Sequence, residues 1–387
     1  MAAPTIAPIT VALEGFSGNG RVATPALLGA MLRAAEKISD LIFSPGRPPQ
    51  VQVYGQMIPV QVPGLTSLTP DDTRHIAADL IGDNKQAITT LREHGACDIS
   101  FGLPGLARFR VNIFIQRGSC AVVMRVIPTV IPDFATLNLP EQLAHIADLK
   151  NGIVLVTGAV GCGKSSTLAA ILDYINQRHS YHIITIEDPI EFLHNHKRST
   201  IHQRELHCDA PSIGLALRAA LRQSPKVILI GEIRDRETME TVLDAAETGH
   251  LVLSSMNTLD VTKTVRRFVT SFSPAEEQSV RTRFAKSFRY IVSQRLIPRA
   301  DGSARIPVLE ILKANVHTRT CIENGERDAH TLLETMKSSP DDGMQYFDGE
   351  LHKLLEDGII DAETALSYAT SPTTLRTALG QQGLVRE

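Results

Sequence analysis

The sequence predicts an α/β chain: a doubly wound parallel sheet, preceded by a smaller α+β domain and followed by C-terminal helices. Three observations carry this prediction. After Gly152, short apolar runs alternate with helical patterns, the signature of βα units. The first of these runs, Ile153 to Thr157, leads straight into a glycine-rich loop and then a helical pattern. Before residue 128, strand-like segments instead follow one another with few helical stretches between them, as in an antiparallel sheet.

The elements follow in order. Residues 1–23 are rich in Ala, Pro, Thr and Gly without a sustained period, and are expected to form a flexible tail. A helix is expected after Thr24-Pro25, with Thr24 as its cap and Leu27, Leu28, Met31, Leu32 and Ala35 on one face. Strands are expected at Asp40 to Ser44, Val51 to Tyr54 and Gln56 to Val60. A helix opens at Thr69-Pro70-Asp71-Asp72, and strands follow at Asp98 to Leu103, Arg108 to Gln116 and Ser119 to Ile127. These make a domain over 24–127. Residues 128–140, with Pro128, Pro132 and Pro140, read as an interdomain linker that proline keeps from being helical. In the remaining domain, 141–387, buried strands are expected at Ile153 to Thr157, Ile183 to Ile186, Val227 to Ile230 and Leu251 to Leu253. Helices fit after Gly163 and at Ile213 to Arg222, Glu237 to Glu247 and Pro274 to Ser293. From Val316 the pattern becomes helical and polar.

The bulk properties narrow the function. With 387 residues the chain suits two or three domains. A formal net charge of -3 and 5% aromatic residues argue against nucleic acid as a partner. The five cysteines form no CxxC pair, which argues against a zinc ribbon or a disulfide framework. No apolar run is long enough to span a bilayer, and the N-terminus lacks a secretory pattern, so a cytoplasmic protein is expected.

Gly158-Ala159-Val160-Gly161-Cys162-Gly163-Lys164-Ser165 matches GxxxxGK[ST] between a strand and a helix, the context the motif requires. Gly158, Gly161 and Gly163 let backbone N–H groups, that of Cys162 among them, turn towards phosphates. The helix N-terminus adds partial positive charge. Lys164 is placed to reach the β- and γ-oxygens, Ser165 to hold Mg²⁺, and Ser166 to line the same turn. The ligand implied is ATP with Mg²⁺.

Hydrolysis needs a group that orients or activates water. Two apolar strands end in acids: Ile184-Thr185-Ile186-Glu187-Asp188-Pro189-Ile190-Glu191 and Val227-Ile228-Leu229-Ile230-Gly231-Glu232. Ligands sit at the carboxyl ends of such strands, so both groups are expected to face the loop. The second resembles a Walker B strand, with Gly231 where an Asp often sits and Glu232 at the catalytic position. His250, in Thr248-Gly249-His250 before the next strand, is a candidate γ-phosphate sensor.

These blocks, in this order, resemble the PilT family of type IV pilus retraction ATPases, within the secretion ATPase superfamily. The loop, Ile184 to Phe192, Ile201 to Glu205, Ala216 to Gln223, Ile228 to Asp235, Ala245 to Val252, Val292 to Leu296, Gly343 to Asp348 and Arg108 to Asn112 carry the resemblance. It implies a PAS-like N-terminal domain, a RecA-like P-loop ATPase domain, and a homo-hexamer with ATP between subunits. By the same resemblance Glu191 activates water, Glu232 is the Walker B glutamate, and Arg108, Arg110 and Arg125 reach nucleotide from the N-terminal domain. An inner-membrane pilus platform protein is the implied partner, and the inner face of that membrane the implied location. The chain departs from the family at three places: Ser255-Met256-Asn257-Thr258 replaces the Leu-His-Thr that ends the His box, Ser39 to Phe43 lacks the usual His, and Arg319 to Glu326 is acidic where the family's basic motif lies. The alternatives are a DotB-like secretion ATPase and a weakly hydrolysing accessory subunit that co-assembles with a paralogous ATPase.

Overall fold

A computed structural model describes residues 9–13, 22–35, 38–53, 55–302, 304–326 and 331–381. The chain folds as two compact units that divide between Thr129 and Val130.

The first unit contains β1 (Ile9–Thr10), α1 (Thr24–Arg33), β2 (Ile38–Phe43), β3 (Gln50–Val53), β4 (Gln56–Gln61), α2 (Pro70–Ile81), α3 (Lys85–His94), β5 (Ala96–Leu103), β6 (Ala107–Gln116) and β7 (Ser119–Ile127). Its sheet runs β1-β4-β3-β2-β7-β6-β5, antiparallel except where β1 lies parallel to β4. Strand alternation sends Leu41, Phe43, Val111, Ile113, Val122 and Met124 into one core with Leu27, Leu28 and Met31 of α1. The opposite face mixes polar residues, Arg110, Asn112 and Arg125 among them, with Phe114, Val123 and Ile127. Most of the expected tail lies outside the described residues, yet Ile9 and Thr10 pair with Val60 and Gln61, and Val11 is buried. Thr24 does not cap α1. It is the first helical residue, after Ala23, and its buried hydroxyl donates to Asp79 Oδ2 at 2.7 Å. Thr69 does cap α2, in a reciprocal capping box with Asp72.

The second unit begins with a segment that packs rather than spans: Phe134, Leu137 and Leu139 join the same core as Val154 and Val156. A 3-10 helix over Glu141–Asp148 follows. Then come β8 (Gly152–Thr157), α4 (Lys164–Arg178), β9 (His182–Glu187), β10 (Thr200–Glu205), α5 (Ile213–Ala220), β11 (Val227–Ile230), α6 (Arg236–Glu247), β12 (Leu251–Met256), α7 (Val261–Thr270), α8 (Glu277–Ser287), β13 (Phe288–Pro298) and β14 (Arg305–Lys313). The sheet order is β10-β9-β11-β12-β8-β13-β14, with only β14 antiparallel to its neighbour. Alternate residues of the central strands enter two separate cores, Ile153, Leu155, Ile184 and Ile228 on one side and Val154, Val156, Ile183 and Leu229 on the other. Burial on both faces is why these strands read as unbroken apolar runs.

The expected helix from Pro274 to Ser293 stops at Ser287. From Phe288 the chain turns extended and enters the sheet beside β8. The run Phe-Arg-Tyr-Ile-Val-Ser is aromatic and β-branched, which favours a strand once both faces are covered. The C-terminal helices are α9 (Val316–Asn324), α10 (Leu332–Ser338), α11 (Phe347–Glu356), α12 (Ala362–Tyr368) and α13 (Pro372–Gln381). Phe347, Leu351, Leu375 and Leu379 form a small core with Ile297, Ile306 and Val308 at the far ends of β13 and β14.

Candidate active site

The phosphate loop joins the end of β8 to the start of α4. Gly158, Gly161 and Gly163 take φ of 147°, 80° and 94°, a region side-chain-bearing residues rarely adopt. Space adds to the requirement. A Cβ at Gly158 would stand 2.4 Å from Gln294 O and 2.5 Å from Cys162 Sγ, and one at Gly163 would stand 2.9 Å from Gln294 Nε2. The loop's tip is open, with Val160 87% exposed, while Cys162 is buried beneath it and its thiol pKa is pushed up by that burial. Lys164 Nζ donates to the carbonyls of Gly158 and Ala159, each at 2.9 Å, so the ammonium lies along the inside of the loop. Ser165 and Ser166 occupy the first turn of α4, where helix N–H groups have no intrahelical acceptor.

Register places the acids. β12 lies between β8 and β11, with Ser255 opposite Val156 and Ser254 opposite Ile230. The ends of β8, β12, β11 and β9 therefore share one edge of the sheet. Glu232 follows β11, about 10 Å across the sheet from β8 at two strand spacings. Both of its oxygens are engaged: Arg234 Nε donates to Oε2 at 2.9 Å and Asn257 Nδ2 to Oε1 at 2.5 Å. Arg234 also reaches Asp188 Oδ2 at 3.4 Å, joining the two acidic strand ends, and these carboxylates raise its pKa, the hydrogen bond it donates to Glu232 most of all. Gly231 N donates to Ile186 O at 2.9 Å and Ser255 Oγ to Gly231 O at 2.6 Å, so the backbone before Glu232 is held from both sides.

Glu187 ends β9, and the loop that follows carries Asp188 and Glu191. Glu187 accepts from Thr185 Oγ1 at 2.6 Å and from Gln203 Nε2 at 3.0 Å. Burial pushes its carboxyl pKa up. Glu191 is exposed. The edge strand β10 braces this loop: Gln203 also donates to Phe192 O at 2.9 Å and accepts from His194 N at 2.8 Å, while buried Glu205 accepts from Ile190 N at 3.2 Å. Neither Gln203 nor Glu205 was assigned a role from sequence, although polar residues in a strand beside an acidic loop are the available signal.

His250 does not join this edge. It precedes Leu251, which pairs with Gly152 at the start of β8, whereas the loop follows Thr157 at the other end. Six residues of strand separate the two levels, about 20 Å. The ring Nδ1 faces Ala245 O at 2.9 Å and Thr248 Oγ1 at 3.2 Å, where it closes the turn after α6. The three arginines belong to the first unit. Arg108 and Arg110 stand two residues apart on β6 and Arg110 pairs across from Arg125, so all three share one face of that sheet, the face opposite its core. Arg110 and Arg125 are exposed, and Arg125 Nε donates to Asp40 Oδ1 at 3.0 Å.

A strand, a three-glycine loop and a helix, with carboxylates on the adjoining strand ends, define a P-loop nucleotide-binding domain. A model of the "Type II/IV secretion system protein" family matches residues 97–366. The chain belongs to that family, among its PilT-like type IV pilus ATPases. It is 38% identical over 338 residues to the type IV pilus ATPase PilU of Pseudomonas aeruginosa, covering 87% of each chain. A crystal structure of the pilus retraction motor PilT with bound ADP superposes with a TM-score of 0.79 at 38% identity, over 93% of this chain and 100% of that one. The ATPase DotB of Legionella pneumophila gives 0.77 at 26% identity, over 97% and 100%. Among the described residues no helix is long and apolar enough to cross a membrane.

Proposed function

We propose that this chain is an ATP-hydrolysing motor subunit that powers type IV pilus retraction. The observation that carries the reading is the phosphate loop set on the same sheet edge as Glu232 and the Glu187 to Glu191 loop. The glycine cradle and the α4 N-terminus fit a polyphosphate, and the hydroxyl and carboxylate oxygens nearby fit a hard divalent cation. Ser165 would hold Mg²⁺, which neutralises charge on the phosphates when bound. Lys164 leaves two neutral carbonyls for the γ-phosphate, an exchange favoured by charge. Glu191, free of the interior, is the group that orients water, and Glu232 supports it. The reading extends to a homo-hexamer at the inner face of the inner membrane, with Arg108, Arg110 and Arg125 of one subunit serving a neighbour's nucleotide and a platform protein receiving the motion.

Steady-state ATPase assays on wild type and Lys164→Ala test the reading. Turnover should fall at least a hundredfold in the variant; background turnover in a well-folded wild type, unchanged by Lys164→Ala, overturns it.

One observation favours a second reading, an accessory subunit that hydrolyses slowly and co-assembles with a paralogue. Asn257 stands where the family's His box has a histidine, and its amide occupies Glu232. An amide cannot carry the proton or charge that an imidazole can. Mixing the chain with a PilT paralogue and measuring mass and turnover separates the two readings.

A further inference from the structure

We infer that Gln294 of β13 is a positioning residue of the phosphate loop: it orients the Cys162–Gly163 peptide so that the Gly163 N–H points at the phosphates. The inference deepens the proposed nucleotide site and rests on it. Gln294 is 4% exposed, a polar side chain buried in the interior of β13. Its Nε2 donates to Cys162 O at 2.6 Å, and its Oε1 accepts from Thr167 Oγ1 at 2.8 Å. A carbonyl oxygen only accepts, so the amide nitrogen must face Cys162, and the Thr167 hydroxyl on α4 completes the amide's orientation.

The consequence follows from peptide geometry. In a trans peptide the C=O and the next N–H point in opposite directions. Holding the Cys162 carbonyl outward, against Gln294, turns the Gly163 N–H inward. The same residue explains two of the three glycines, because its carbonyl crowds Gly158 and its amide crowds Gly163. The loop's shape is thus imposed partly by a strand residue 132 positions after Cys162, not only by the loop's own composition. Arg295, next along β13, points the other way, stacks 3.8 Å over the Phe347 ring and donates to Thr370 Oγ1 at 3.0 Å. The brace on the loop is therefore anchored to the C-terminal helices.

The experiment measures binding of a fluorescent ADP analogue, steady-state kinetics and melting temperature for wild type, Gln294→Met, Thr167→Val, Thr167→Ser and the double variant Gln294→Met/Thr167→Val. Gln294→Met and Thr167→Val should each weaken nucleotide binding about tenfold, the size of one lost buried hydrogen bond. Thr167→Ser, which keeps the hydroxyl, should bind like wild type, and the double variant should be no weaker than Gln294→Met alone. KM should rise with kcat held within about threefold. Wild-type affinity in Gln294→Met, or a loss in Thr167→Ser equal to that in Thr167→Val, overturns the inference. Failure of wild type itself to bind the analogue would instead overturn the nucleotide-site reading.

Discussion

The side-chain amide of Asn257 donates to Glu232 Oε1 at 2.5 Å, from the end of β12, the strand that lies between β8 and β11. With Arg234 on the other oxygen, Glu232 is a carboxylate held from two sides. A hydrogen bond to a charged group is worth about 1.5 to 3 kcal/mol, so any role that needs Oε1 must first displace the amide.

Asn257→Ala and Asn257→His should therefore raise turnover, by about tenfold for the alanine variant, with KM for ATP changed less than twofold. Coupled-enzyme ATPase measurements check this. A fall in kcat on Asn257→Ala would show that the amide helps the reaction.

Gln203 holds the loop that carries Glu191 through three hydrogen bonds. Gln203→Leu fits the same space without them. It should lower kcat about tenfold or more while leaving nucleotide affinity near wild type, because the loop and not the phosphate cradle loses its support. Equal losses in affinity and kcat would place Gln203 with the cradle instead.

Glu310 on β14 is 5% exposed, and its pKa is raised to about 7. Burial is the main cause; Asp260 and Asp348 add to it, while the Val261 N–H and Arg295 oppose it. The folded protein thus binds this proton more tightly than the unfolded chain. The contribution is fully present below the unfolded value near 4.5, declines above it, and is lost as pH rises through about 7. The span corresponds to roughly 3 kcal/mol. Glu310→Gln keeps an acceptor for Val261 N and should remove this dependence, so urea midpoints of the two proteins should diverge between pH 5 and pH 8.5. Parallel pH profiles would contradict the assignment.

Thr24→Val removes the hydroxyl that donates to Asp79 in the first unit. It should lower that unit's stability by about 1 to 3 kcal/mol. Hydrogen exchange in residues 24–80 should rise, while ADP affinity stays unchanged. A loss of affinity would mean that the two units are energetically coupled.

The apolar strands of the second sheet were legible because each is buried on both faces, and the phosphate loop because glycine is enforced at φ values its neighbours cannot adopt. β13 was not. Its first residues continue the apolar pattern of α8, and only the sheet partner β8 decides for strand. His250 shows a different limit. Sequence already placed it before a parallel strand, at the edge opposite the carboxyl ends where the loop lies, so a sensor role does not follow from the fold. Gln294 and Gln203 lie in strands, β13 and β10, that the sequence did not predict, and their partners Thr167, Cys162, Glu187 and Phe192 lie well away in sequence, beyond local periodicity.

The register that separates Met256 from Asn257 has an evolutionary meaning. β12 is buried through Met256, and the exposed residue that follows supports little of the fold. Asn and His codons differ by a single base. If Asn257 restrains turnover as predicted above, one base change at this position adjusts the rate without a compensating change in the core, which makes position 257 a ready point for a duplicated gene to diverge.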